Sequence, residues 1–300
     1  MKNALRWMVL GLVASTSAHA VVIDGYSAVV NDRFTGTFPS APVPNSSGSF
    51  IGAGYDWSGV GWDANLATRS FALIDDEYFV YATHYPPSSN PNSLNFYSPT
   101  LSSVVSYSWT PATKITFQHP DTGAAGDFSI GRLSSPVNPA HGLATYPILD
   151  LPSLNAYAGL QLLVYGFSST VTSPRIGQNQ IDGFGSFDVY PLNVGDSVED
   201  TFVVFHYDNN QPGNAIYQVG DSSGPLFVPF QGELTIVGTH SLVGTANGKP
   251  ANFDNFIPIY LDQMTAQNVS FTTVPEVPAL AGSAVLALAA LRYRRWMFRA

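Results

Sequence analysis

Ser222 stands in the run Gly220-Asp221-Ser222-Ser223-Gly224-Pro225, directly ahead of the apolar Leu226-Phe227-Val228. Tight turns favour such residues for their own backbone reasons, so the run has a plain reading as a turn. It also has a chemical one. Glycine lets the backbone approach a substrate closely, and amides around a tight turn converge on an oxyanion. A serine hydroxyl becomes a nucleophile beside a base, and the base works best when a carboxylate orients it. No cysteine occurs in the 300 residues, which excludes thiol nucleophiles, thiolate zinc sites and disulfides.

Five histidines follow residue 20. His84 ends the run Phe79-Val80-Tyr81-Ala82-Thr83-His84, a strand leading into a loop, which is the placement of a general base. His119 precedes Pro120 and His141 precedes Gly142, marking both as turn residues. His206 alternates along a strand and reads as a packing or surface residue. His240, in Val237-Gly238-Thr239-His240-Ser241, reads as a pocket-lining residue rather than the base. Asp127 opens Asp127-Phe128-Ser129-Ile130-Gly131-Arg132-Leu133 and is the candidate carboxylate, with a turn cap as its plain alternative. Asp75, Asp76 and Glu77 form a solvated hairpin tip. Three consecutive acids on a strand cannot all face one ion, so no metal site is expected there, and no cofactor is called for.

The elements that must carry these residues read as strands. Residues 71–74, 78–81, 160–165, 201–205 and 234–237 are short β-branched or aromatic runs punctuated by Gly, Pro, Asn, Asp and Ser. Helical periodicity is absent until residues 260–264, a short closing helix. Many short strands with frequent turns predict an all-β barrel or sandwich architecture. A proline-rich crossing at residues 135–152 divides the body into comparable halves, 21–145 and 146–273.

Three segments, residues 78–84, 127–133 and 220–225, together resemble the chymotrypsin-like serine peptidases. In that family a histidine ends a strand of the first barrel, an aspartate begins a later one, and the serine sits in a G-D-S-G-G-P run. The order His84, Asp127, Ser222, with gaps of 43 and 95 residues, matches that pattern. Residues 160–167, 236–241 and 256–264 echo the opening strand of the second barrel, the substrate-pairing strand and the terminal helix. The resemblance implies two six-stranded antiparallel β-barrels, the first carrying His84 and Asp127 and the second Ser222. It implies Ser222 as nucleophile, His84 as base, Asp127 as its orienting acid, and the amides of Gly220 and Ser222 as oxyanion donors. Asp221 would hold the nucleophile loop, where relatives often pair it with an amino terminus freed by cleavage. Ile216, Thr239 and Ser241 would contact a polypeptide substrate. Isoleucine at 216 offers no counter-charge, so cleavage after Lys or Arg is not expected: an unpaired buried cation costs several kcal/mol.

The sequence departs from that pattern in several places. Ser223 replaces a glycine after the nucleophile, which strains the backbone if φ must be positive. Thr83 replaces the small residue before the histidine, and the disulfide usual beside the histidine is absent. Residues 207–214 form an insertion near the expected pocket. No basic residue precedes an Ile-Val-Gly-Gly-like start, although Val21-Val22-Ile23-Asp24-Gly25 could supply an amino terminus.

The two ends read as addresses rather than fold. Lys2 and Arg6, an apolar run over residues 7–14 and Ala18-His19-Ala20 have the layout of a secretory signal peptide, cleaved after Ala20. Residues 274–300 combine Pro275-Glu276-Val277-Pro278, an uncharged stretch and four arginines. They resemble the bacterial PEP-CTERM sorting signal, which implies a Gram-negative envelope protein anchored at its C-terminus and handled by an exosortase. Between these ends the body carries six Lys/Arg against 20 Asp/Glu. Such acidity argues against a nucleic-acid partner. Two other readings compete with an exported endopeptidase: a catalytically weak peptidase-fold protein that binds in the envelope or matrix, and a β-sandwich carbohydrate-binding module.

Overall fold

A computed structural model describes residues 21–167, 173–189 and 198–275. The expected signal peptide lies outside them, as does the sorting segment beyond residue 275. Strand β1, Val22–Ile23, precedes a sheet built from β2 Val60–Asp63, β3 Ser70–Leu73, β4 Tyr78–Ala82, β5 Ser93–Ser98, β6 Ser103–Ser108, β7 Ile115–Gln118 and β8 Ala125–Arg132. These seven lie in the order β6-β5-β2-β3-β4-β8-β7, every pairing antiparallel.

The second half contributes β9 Ile148–Asp150, β10 Gln161–Gly166, β11 Arg175–Gln180, β12 Gly183–Val189, β13 Val198–His206, β14 Ala215–Ile216, β15 Pro225–Phe230, β16 Glu233–Ala246, β17 Lys249–Phe256 and β18 Thr273–Pro275. Here the order is β11-β10-β15-β16-β17-β13-β12, and β9 lies parallel to both β16 and β18. The chain is therefore all-β, with two mainly antiparallel sheet bodies, as expected, and one short C-terminal helix, Leu261–Ala266. Among the described residues the two bodies hold seven and nine strand segments, and β1 with β14 forms a separate two-stranded pair. In the second body the short β9 and β18 lie off the main path of seven strands, and β18 includes Val274 and Pro275 of the segment read as sorting signal.

Four of the expected strands start within one residue of their predicted start and the fifth, β13, three residues ahead of it, because the apolar residues alternate onto a buried face. In β5 the burial alternates residue by residue, with Leu94, Phe96 and Ser98 inward. One apolar cluster joins the bodies, drawing Val60, Ala72, Val80 and Phe128 from the first sheet and Leu163, Tyr165, Phe227 and Ile236 from the second. Tyr260 and Met264, near and within the C-terminal helix, close it. Phe128 stacks on Phe117 at 5.1 Å and on Tyr260 at 5.2 Å between ring centroids. Buried Arg33, from the N-terminal stretch, donates to the Trp57 and Val60 carbonyls and to the Tyr165 hydroxyl, so it too spans the join.

Phe128 is inaccessible to solvent and central to that shared cluster. Phe128→Ala is expected to lower the unfolding free energy in urea by about 3–5 kcal/mol. Both halves should unfold in one transition.

Candidate active site

The antiparallel register of β4 and β8 sets Ala82 opposite Phe128, and the Thr83 amide donates to the Asp127 carbonyl at 2.8 Å. One residue further, the His84 amide donates to Asp127 Oδ1 at 3.0 Å. The histidine therefore leaves the strand end already clamped to the carboxylate. Its ring Nδ1 lies 2.8 Å from Asp127 Oδ2, and its Nε2 lies 3.0 Å from Ser222 Oγ. With the proton on Nδ1 held by Asp127, Nε2 presents its lone pair to the serine hydroxyl. His84, Asp127 and Ser222 are thus brought together from three separate segments.

Asp127 is fully buried. Ser241 Oγ donates to its Oδ2 at 2.5 Å, and Asn255 Nδ2 donates to its backbone carbonyl at 2.8 Å. A β-bulge in β16 between His240 and Leu242 accompanies that placement of Ser241, since a bulge re-aims side chains. Behind Asp127 sits Asp200, whose Oδ2 accepts from the Asp127 amide at 3.1 Å. Burial, with the nearby charge of Asp127 adding to it, pushes the Asp200 carboxyl up to about 7.

Ser222 occupies the turn between β14 and β15. Gly220 has φ +103°, a conformation that favours glycine. The Asp221 amide donates to the Gln218 carbonyl and the Gly224 amide to the Asp221 carbonyl. Among the described residues the amides of Gly220 and Ser222 have no backbone acceptor, so both are available to a developing oxyanion. Asp221 is buried, its Oδ2 accepting from the Gln218 amide at 2.9 Å, while among the described residues its Oδ1 has no hydrogen-bond partner within ordinary geometry. Burial pushes this carboxyl up to about 7 as well.

Ser223 has φ +71°, the strained conformation its position implied. Its hydroxyl offsets that cost. Oγ accepts from the Ala82 amide at 3.0 Å and donates to the Tyr85 carbonyl at 2.7 Å, tying the nucleophile turn to the histidine turn. The departure from glycine is thus a crosslink in a chain without cysteine. Thr83 is likewise engaged, its Oγ1 lying 2.6 Å from Ser129 Oγ.

The positions expected to touch substrate are placed differently. Ile216 is buried in β14 and pairs with Val22 of β1. Thr239 is fully buried beside Asn255, and the Ser241 hydroxyl is committed to Asp127. His240 is fully buried too, bonded to Asp254. His206 sits on β13 against Asp182, and His141 bonds Tyr107 within a short turn. Sequence reading missed Asn255, Asp254 and Asp200. Their signal was three polar residues within the otherwise apolar Asn252-Phe253-Asp254-Asn255-Phe256, and an acid at the head of a strand. Among the described residues no cluster of three or more acids and histidines could hold a metal ion, and no helix is long and apolar enough to cross a membrane.

No protein-family model and no curated protein matches the chain. Solved structures do. A mutant of human heparin binding protein (CAP37) aligns at 15% identity over 73% of this chain and 95% of its own, with a TM-score of 0.49. Two structures of heparin binding protein itself, one of them described as human, align at 15% and 14% identity. They cover 72% and 71% of this chain and 92% of each of theirs, with TM-scores of 0.49 and 0.46.

Two predictions follow from these contacts. Ser223→Gly relieves the positive φ but leaves the buried Ala82 amide unpaired, a loss of about 1–3 kcal/mol against a gain of about 1. Ser223→Ala keeps the strain and loses the same bonds. Thermal unfolding should therefore rank wild type above glycine and glycine above alanine. Asp200 binds a proton in the folded chain that it has released in the unfolded one over the window from its ordinary range near 4 up to about 7. Stability at this residue is therefore highest below that window and declines as pH rises through it. Asp200→Asn should flatten the decline in a melting-temperature profile from pH 4 to pH 8.

Proposed function

We propose that the protein is an exported serine endopeptidase that hydrolyses peptide bonds through an acyl-enzyme. The observation that carries this reading is the relay from Ser222 Oγ to His84 Nε2 at 3.0 Å and from His84 Nδ1 to Asp127 at 2.8 Å. In the reaction Ser222 Oγ attacks the substrate carbonyl carbon and His84 Nε2 takes its proton. The oxygen that gains charge faces the amides of Gly220 and Ser222. Removing one such donor costs roughly 10²–10³ in turnover. Collapse of the tetrahedral species expels the amine, which takes the proton from His84. Water then repeats the sequence to free Ser222. Asp127 holds the imidazole orientation throughout and stabilises its charged form. No metal or organic cofactor enters this scheme.

Finer features belong to the same proposal. Export rests on residues 1–20, and attachment to a Gram-negative envelope with exosortase handling rests on residues 274–300. Cleavage after Ala20 would also give Val21 a free ammonium. Val21 is fully buried, its neighbour Val22 pairs with Ile216 six residues ahead of the nucleophile, and among the described residues Asp221 Oδ1 has no hydrogen-bond partner. This supports signal cleavage itself as the source of a cation for Asp221.

A fluorophosphonate probe on the protein as exported tests the reading. The expected result is one label per chain, on Ser222, abolished by Ser222→Ala and by His84→Ala, and weakened when extra residues precede Val21. A folded protein that takes no label would instead favour a non-catalytic envelope or matrix protein built on the same fold.

A further inference from the structure

His240 lies directly beneath the nucleophile turn and takes no part in the relay. Its carbonyl accepts from the Ser223 amide at 2.9 Å and its amide donates to the Gly224 carbonyl at 2.8 Å. A Cβ added at Gly224 would fall 2.6 Å from the His240 ring, so the imidazole abuts the turn itself. The ring is completely enclosed. Nε2 lies 2.7 Å from the Tyr165 carbonyl, which can only accept, so Nε2 carries a proton. Nδ1 lies 3.0 and 3.2 Å from the two oxygens of Asp254, which is equally buried. One N–H shared between two carboxylate oxygens fits that near-symmetric approach. A protonated acid would present a single hydroxyl to a bare nitrogen.

We infer that His240 is a buried imidazolium, paired with Asp254, and that it is a positioning residue for Ser222: its ring, bonded at both nitrogens and set against Gly224, and its backbone together hold the turn. The inference rests on the peptidase reading for its catalytic consequence alone. The groups facing the ring are few. Asp254 comes from β17, Asp221 from the turn, the Tyr165 carbonyl from β10, and Tyr217 from the stretch after β14. The Tyr217 ring stacks on the imidazole at 4.1 Å with 20° between planes, a face that attracts a cation. Arg175 from β11 is the other cation whose field reaches Asp221. Burial alone would push the His240 pKa down, but the charge and hydrogen bond of Asp254, with the charge of Asp221, outweigh it and raise the pKa. By sign, the imidazolium is complete below the ordinary histidine range and is lost as pH rises through the elevated folded value.

The consequence is a second histidine with a requirement opposite to the first. His84 must be neutral to accept the serine proton, and His240 must be charged to keep the nucleophile turn in place. Activity therefore falls as pH rises through the elevated His240 value and the imidazolium is lost.

The test reads the charge directly. Nitrogen-15 spectra of the exported protein, labelled at histidine and assigned with His240→Gln, should show both His240 nitrogens protonated at pH 7. Asp254→Asn, checked for folding by thermal unfolding, should leave His240 neutral at that pH. It should also slow fluorophosphonate labelling of Ser222 by about tenfold or more through turnover rather than probe affinity. Asp254→Glu should recover part of the rate. A His240 with one bare nitrogen at pH 7 overturns the inference, as does wild-type labelling in a folded Asp254→Asn protein. If wild-type Ser222 takes no label, the peptidase reading fails on its own, and the nitrogen spectra still decide the charge of His240.

Discussion

Asp127 has no contact with solvent, and a carboxylate removed from water has to be hydrogen-bonded on every side. Four groups meet that demand: the amide and ring of His84, the hydroxyl of Ser241 and the amide side chain of Asn255. They come from the end of β4, the bulge of β16 and the last turnward residues of β17. Solvating one buried acid therefore fixes the position of the first sheet relative to the second. The same contacts set the imidazole at the distance from Ser222 that proton transfer requires.

The nucleophile turn is held by comparable means. Ser223 bonds it to the histidine turn, and the backbone of His240 bonds it to β16. Each tie crosses from one sheet body to the other or from turn to strand, in a chain that has no cysteine to form covalent crosslinks. Hydrogen bonds buried away from water serve that role because breaking one leaves an unsatisfied group whose desolvation is uncompensated. The cost is local strain at Ser223, which a shared hydroxyl recovers.

The interior behind the site is unusually rich in acids. Asp127, Asp200, Asp221 and Asp254 are all buried; His84 meets Asp127 and His240 meets Asp254. Carboxyls in such surroundings shift toward neutrality unless a cation or several amides hold the charge. Asp200 and Asp221 are pushed up toward neutral pH by burial, whereas Asp254 faces His240. Each acid's environment, rather than its residue type, sets what it can do at the site.

The residues that bear chemistry were legible in the sequence because each sits in a local pattern: Ser222 in a glycine turn, His84 at the end of an apolar run, Asp127 at the start of another. The alternation of apolar residues likewise marked the strands and the short helix near Leu261, since burial period is a property of neighbouring residues. What surrounds those residues was decided by tertiary structure. Ile216 reads as a pocket floor by position, yet β1, nearly two hundred residues earlier, covers it. Ser241 reads as a substrate contact, yet a bulge turns its hydroxyl to Asp127. Ser223 reads as a defect, yet it bonds a strand end 141 positions away. Strand register and bulges bring such residues together, and neither has a signature within a few positions of the residues they join.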